Sequence, residues 1–268
     1  MKSPSGFGLP WVADFSLMVT LKSPREIELM ARAGAIVAGT LELVGGMMRP
    51  GVSTEALDTA AERFIRGHPG AVPSFKGLYG FPKSVCISIN EEIVHGIPSP
   101  KRVLREGNIV SVDVGVFREG FHADSAATFP VGEIAPDAQR LLAVTQEALV
   151  AGIAQARLGN HVGDIGHAIQ TVAEAAGFGV VRELVGHGVG QRMHEDPQVP
   201  NHGQPRRGAR LQVGMTLALE PMITLGDYST RMLDDKWTVV TADGSLSAHF
   251  EHTVAVTNEG PRILTKAQ

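Results

Sequence analysis

Four carboxylates and one histidine lie in stretches of this chain where a polar group is expensive, and they restrict what it can fold into. Asp113 interrupts Ile109-Val110-Ser111-Val112-Asp113-Val114, and Glu220 closes Met215-Thr216-Leu217-Ala218-Leu219-Glu220. Asp124 and Glu251 fall in further apolar, strand-like runs, and His187 sits in Gly186-His187-Gly188-Val189-Gly190. An ionised acid in apolar surroundings must be paired, bound to a cation or protonated. Acids spread over half the chain can satisfy that rule together by converging on a dinuclear cation site.

The rest of the composition narrows the setting. A formal charge of -4 without a Lys/Arg-rich run argues against a dedicated nucleic-acid or anionic-membrane surface. Cys86 is the only cysteine, which excludes an intrachain disulfide and fits a reducing, cytoplasmic setting. No apolar run approaches the roughly 20 residues a bilayer span needs. Residues 1–21 begin with a Gly-, Ser- and Pro-rich stretch and read as a flexible leader. Residues 22–268 are expected to form one domain.

Local signals give an α+β order. Ser23-Pro24-Arg25-Glu26 is a capping box opening a helix that Gly45-Gly46 and Pro50 close. A second helix fits Thr54 to Ile65, a loop and then a strand fit Phe75–Ser88, and further helices fit Asp137–Ala156 and Val162–Ala176. Strands are expected at Val180–Val185, Met215–Glu220, Trp237–Thr241 and Phe250–Val256. Gly107…Asp113 and Gly214…Glu220 recur at an offset of 107 (220 − 113), and Gly51…Phe64 recurs near Gly159…Val172. Two such halves could pack pseudo-symmetrically with their acids between them.

Val110–Val116 and Phe121–Phe129 read as a hairpin. A four-residue loop, Phe117–Gly120, would set Asp113 directly opposite Asp124 on one face, with Cβ atoms ~4.5–5.5 Å apart. Two like charges that close need a cation or a proton. Solvent exposure of the alternate positions is the competing reading, strongest for Glu251. Glu220 precedes Pro221, which suits a strand end or edge. Oxygen-rich ligation with one imidazole suits Mn, Fe(II), Co or Zn, and two such ions can activate water and polarise a carbonyl. His95 and His194 are then free for proton movement or substrate contact.

The motifs that carry these residues resemble type I methionine aminopeptidases. They are Phe81-Pro82-Lys83-Ser84-Val85-Cys86 through Asn90-Glu91, Val94-His95-Gly96-Ile97-Pro98, Gly120-Phe121-His122-Ala123-Asp124, Gly186–Gly190, Met193–Val199, Leu219-Glu220-Pro221-Met222 and Ser245–Thr253. The resemblance covers about residues 22 to 265. It implies the pita-bread fold, a pseudo-two-fold arrangement of helices around a curved antiparallel sheet. It further implies two divalent metal ions, with Asp113 on one, His187 and Glu220 on the other, and Asp124 and Glu251 bridging. Hydroxide activated by both metals would attack the first peptide bond of a protein beginning with Met, when the second residue is small. Glu220 would shuttle a proton, His95 would meet the scissile amide, and His194 would bind the carbonyl oxygen.

The methionine pocket implied by the resemblance draws on Phe75, Leu78, Phe81, Cys86, Met193 and Trp237. Leu78 stands where Tyr is frequent in the family, and Met193 where Phe is frequent. Core packing is the competing reading for the aromatic members, and Cys86 reads as a small buried hydrophobe rather than a nucleophile. The substrate implied is the N-terminal Met of nascent polypeptides, acted on by a cytoplasmic monomer, with ribosome association left open. The 30 residues between Glu220 and Glu251 leave no room for the helical insertion of type II enzymes. Alternatives are an Xaa-Pro dipeptidase or aminopeptidase P on the same fold, a non-catalytic binding relative, or a structural protein whose acids face water.

Overall fold

Helix α1 (Pro24–Gly45) opens as its first residues dictate. The Ser23 hydroxyl accepts from the Glu26 amide, the Glu26 carboxylate accepts from the Ser23 amide, and Pro24 takes the first turn. It is followed by α2 (Thr54–Arg66), which Ser53 caps. The second helical pair is α3 (Pro136–Gln155) and α4 (Val162–Ala175). The computed structural model describes residues 19–266. Most of the expected leader lies outside the described residues. Where the description starts, Val19 packs on the core and the Lys22 amide donates to the Gly214 carbonyl. Among the described residues, no helix is long and apolar enough to cross a membrane.

The strands, in chain order, are β1 (Val72–Pro73), β2 (Cys86–Ile89), β3 (Glu92–Val94), β4 (Ile109–Arg118), β5 (Phe121–Pro130), β6 (Gly179–Val180), β7 (Gly186–Gly188), β8 (Glu195–Val199) and β9 (Thr216–Leu219). They continue as β10 (Met222–Thr224), β11 (Thr230–Met232), β12 (Val239–Thr241), β13 (Ser247–His249), β14 (His252–Thr257) and β15 (Gly260–Ile263). A 3-10 turn, Leu78–Gly80, fills the expected loop before β2. Among the described residues, all strand pairs are antiparallel. They form four sheet segments: β4 with β1, β2 and β5; β13-β10-β6; β11-β12-β3; and β15-β14-β9-β7-β8.

Each half of the chain lays two helices on its own sheet. Ile36, Val37, Leu57 and Ile65 pack on Val110, Val112, Val114 and Val116 of β4 in one apolar cluster. Leu141, Leu149, Ile165 and Ile169 pack on Leu217, Leu219 and Val254 in another. This matches the offset seen between the Asp113 and Glu220 segments. β9 lies inside its sheet, so Pro221 marks a strand end rather than an edge strand.

The hairpin register differs from the expected one. Arg118 pairs with Phe121, so the loop is only Glu119-Gly120, with φ of 50° and 89°. Two consecutive left-handed residues make the tight turn that matches strand twist. The ladder therefore shifts by two: Asp113 faces Ala126 and Asp124 faces Gly115. The acids are diagonal rather than opposed, and a shift of two keeps both on one face.

The strand expected at Val180–Val185 shrinks to Gly179–Val180. Leu184 and Val185 instead line the cavity described next.

Candidate metal centre

Two seams bring the halves together. The Thr253 hydroxyl donates to the Asp124 carbonyl and accepts from the Asp124 amide, at 2.8 and 2.9 Å. Thr128 clamps His249 in the same two-way fashion. The Ser125 hydroxyl and the Glu251 amide add bonds from β5 to the Glu251 segment. Six hydrogen bonds thus lock a regular hairpin onto β13, β14 and the segment between them, which is how Asp124 and Glu251 become neighbours 127 positions apart in sequence (251 − 124).

Ligand atoms of Asp113, Asp124 and Glu251 lie within 4.8 Å of one another. Asp124 and Glu251 are 4% and 2% exposed, so the solvent-facing reading fails for both. His187 pairs with Ala218 in the ladder and Glu220 directly follows β9. His187 Nε2 stands 3.6 Å from Glu220 Oε1 and 3.9 Å from Asp124 Oδ2. The five expected ligand positions therefore border one cavity of about 220 Å³.

The chemistry of this donor set fits divalent cations. Burial lifts the Asp113 carboxyl to about 7. It lifts Asp124, Glu220 and Glu251 well above the carboxylate range, with repulsion among the acids adding to the effect. Oxygens of Asp113, Asp124 and Glu251 are buried without a hydrogen-bond partner. Such groups are costly unless something positive meets them. Cations of the hard or borderline kind supply that charge and accept this oxygen-rich shell.

Burial disfavours the charged form of three imidazoles at the site, of which His95 and His194 are half-buried. His95 leaves β3 at φ 59°, a left-handed turn uncommon outside glycine, and the next residue has no room for a side chain because a Cβ on Gly96 would strike the Ile87 carbonyl. Burial lowers His95 and His187 to about 4. Burial, then the neighbouring His187 and His95, lowers His194 to about 2. His194 rings with His187 at 4.4 Å between centroids.

Phe75, Phe81, Cys86 and Met193 form a separate buried cluster, with Leu78 and Trp237 packed against it. All but Met193 also line the cavity, so packing and pocket are the same surface here. Cys86 pairs with Asp113 across β2 and β4, and burial pushes its thiol up, away from nucleophilic thiolate. Gly115 makes room for the Phe75 ring, which a Cβ there would meet.

Several residues at the site went unread in the sequence. Ile97 joins the apolar cluster, and Tyr79 stacks on His194 with ring centroids 5.8 Å apart. Lys22 and Glu195 form a buried ion pair beside Gly190, tying the chain before α1 to the strand that follows His194. His249 stands behind Glu220 and Glu251. Only His249 had a usable signal: it precedes Glu251 by two within the Ser245–Thr253 motif.

Known proteins agree with this geometry. The model for metallopeptidase family M24 matches residues 28–258. A protein from Clostridium perfringens named methionine aminopeptidase is 53% identical, across 92% of this chain and 99% of its own. The crystal structure of methionine aminopeptidase from Thermotoga maritima superposes with a TM-score of 0.91 at 44% identity, over 93% of this chain and all of that one (100%). An Xaa-Pro dipeptidase from Bacillus anthracis shares the fold alone, with a TM-score of 0.74 at 22% identity, over 92% of this chain and 62% of its own. The helices and antiparallel sheets are those of the pita-bread fold. The chain belongs to metallopeptidase family M24, in its type I methionine aminopeptidase branch.

Proposed function

We propose that this enzyme hydrolyses the first peptide bond of polypeptides beginning with Met when the second residue is small. The observation that carries the reading is a group of three acids, Asp124 and Glu251 buried and Asp113 half-buried, whose ligand atoms lie within 4.8 Å, at one side of an apolar pocket. In this reading Asp113, Asp124, His187, Glu220 and Glu251 hold two divalent ions, of Co, Mn, Fe(II) or Zn type. When bound, such ions activate water and polarise the carbonyl to be attacked.

The chain's own residues do the rest. Phe75, Leu78, Phe81, Cys86 and Trp237 take the methionine side chain, whose unbranched thioether suits an apolar, irregular wall, and Met193, expected in that wall, packs against them without lining the cavity. Glu220 accepts a proton on its carboxylate and passes it on. His95 donates toward the scissile amide nitrogen. His194 is neutral, so it offers one N–H to the carbonyl oxygen as negative charge develops there. Low solvent access strengthens each of these contacts.

We further propose a cytoplasmic monomer acting on nascent chains; the lone, buried Cys86 suits a reducing compartment. We read residues 22–268 as one catalytic domain, with ribosome contact as a further trait to test. The deciding assay titrates metal-free protein with Mn, Co, Fe(II) and Zn, using Met-Ala-Ser and Met-Leu-Ser as substrates. Metal-dependent release of Met from the first and almost none from the second is expected. Equal rates would remove the small-residue claim, and metal-independent release would remove the cation centre.

A further inference from the structure

One imidazole at the centre has no part in the reading above. His249 ends β13, is 2% exposed, and does not line the cavity wall, which Met222, Glu220 and Glu251 form at that side. Its Nε2 has no hydrogen-bond partner and stands 4.0 Å from Glu220 Oε2 and 4.0 Å from Glu251 Oε2. The two-way clamp from Thr128 fixes its main chain. The arrangement mirrors His187, whose Nε2 lies 3.6 Å from the other oxygen of Glu220. Glu220 therefore has an imidazole beside each carboxylate oxygen.

A nitrogen buried this far without a partner is costly, and an apolar residue of similar size would fill the space without that cost. Core filling is thus a poor account of a histidine here. Substrate contact is poor too, because the ring sits behind the acids rather than in the cavity.

We propose that His249 is a positioning residue for the cation centre: its Nε2–H holds Oε2 of Glu220 and Oε2 of Glu251 once those carboxylates ionise around a divalent ion. The contact decides which oxygen each acid turns toward the ion. Hydrogen bonds from behind a ligating carboxylate orient it, and their loss typically weakens metal binding by about 10–100-fold. The proposal rests on the reading of the acids as a cation centre.

The test compares wild type with His249→Phe and His249→Gln by calorimetric titration of metal-free protein with MnCl2 and CoCl2, by the visible spectrum of the Co(II) form, and by thermal unfolding. His249→Phe should bind Mn(II) about tenfold or more weakly. It should lower kcat on Met-Ala-Ser with KM unchanged, and leave the metal-free Tm at or above wild type. His249→Gln, which restores an N–H donor, should recover most of the affinity. Should His249→Phe not fold, the smaller His249→Leu carries the same expectation. Wild-type affinity in the Phe or Leu variant would overturn the proposal. So would loss of one metal equivalent with a changed Co(II) spectrum that Gln does not restore, since Nε2 would then be a ligand itself. If wild type binds neither ion, the cation reading fails first; if all forms bind alike, only the role of His249 fails.

Discussion

The hairpin half and the second half of the chain deliver their acids to the same cavity by different means. Asp113 and Asp124 ride on a ten-pair ladder between β4 and β5, anchored by a row of valines under α1 and α2. His187, Glu220, His249 and Glu251 sit on, or just beyond, strands of six residues or fewer. Their positions depend on glycines that let backbones approach and on hydroxyl seams to β5. A long regular element positions side chains by repetition, whereas short ones need particular contacts at each residue. The second half should therefore be the more fragile in fold, and the hairpin the more directly chemical.

The largest effect is expected from removing chemistry without touching the ladder. Asp124→Asn keeps the size and the main-chain bonds to Thr253, yet takes away a charge from the centre of the acid group. Turnover of Met-Ala-Ser should fall by more than the roughly 100-fold typical of a supporting residue, with Tm of the metal-free protein maintained or raised. Near-normal turnover at saturating Mn(II) would dismiss Asp124 as a ligand.

One substitution placed in each half tests fragility directly. Gly188→Ala in β7 would drive a Cβ into the carbonyl oxygens of Asp196 and Glu195. A backbone clash of that kind should cost about 2–3 kcal/mol, lowering Tm by roughly 5–10 °C. Gly120→Ala in the hairpin turn meets open space and strains only a φ of 89°. That should cost about 1 kcal/mol, a few degrees of Tm. Equal losses in differential scanning calorimetry would erase the proposed difference between the halves.

The smallest effect sharpens the same comparison from the surface. Glu62 on α2 accepts from Lys76 at 2.7 Å and Arg66 at 2.8 Å, and chiefly the Lys76 bond draws its pKa from 4.5 to about 2. A depressed carboxylate stabilises above its unfolded pKa and loses that contribution as pH falls through its folded value. Glu62→Gln should therefore cost about 0.5 kcal/mol at neutral pH. The gap to wild type in urea midpoint should narrow as pH drops from 4.5 toward about 2. A gap that widens with acid would reverse the sign.

Much of this was legible from local rules. The Ser23–Glu26 capping box, four helices, the hairpin and the costly acids all follow from short-range signals that the fold keeps. The register differs from the four-residue expectation because Glu119, a residue seldom found at positive φ, takes φ 50° and closes the turn with Gly120 alone. Even so, the shift was by an even number, and the shared face survived.

By itself the sequence showed that these acids lie in apolar runs where, if buried, they need a counter-charge or a proton, because ionised groups there are costly. Its motifs also settled the family. Only the tertiary structure decided which acids lie within 4.8 Å, that Thr253, Ser125 and Thr128 seam the halves, and that His249 stands behind Glu220 and Glu251. The hydroxyl seams join residues more than 100 positions apart, and His249 meets Glu220 across 29 (249 − 220), so neither periodicity nor propensity could place these groups together.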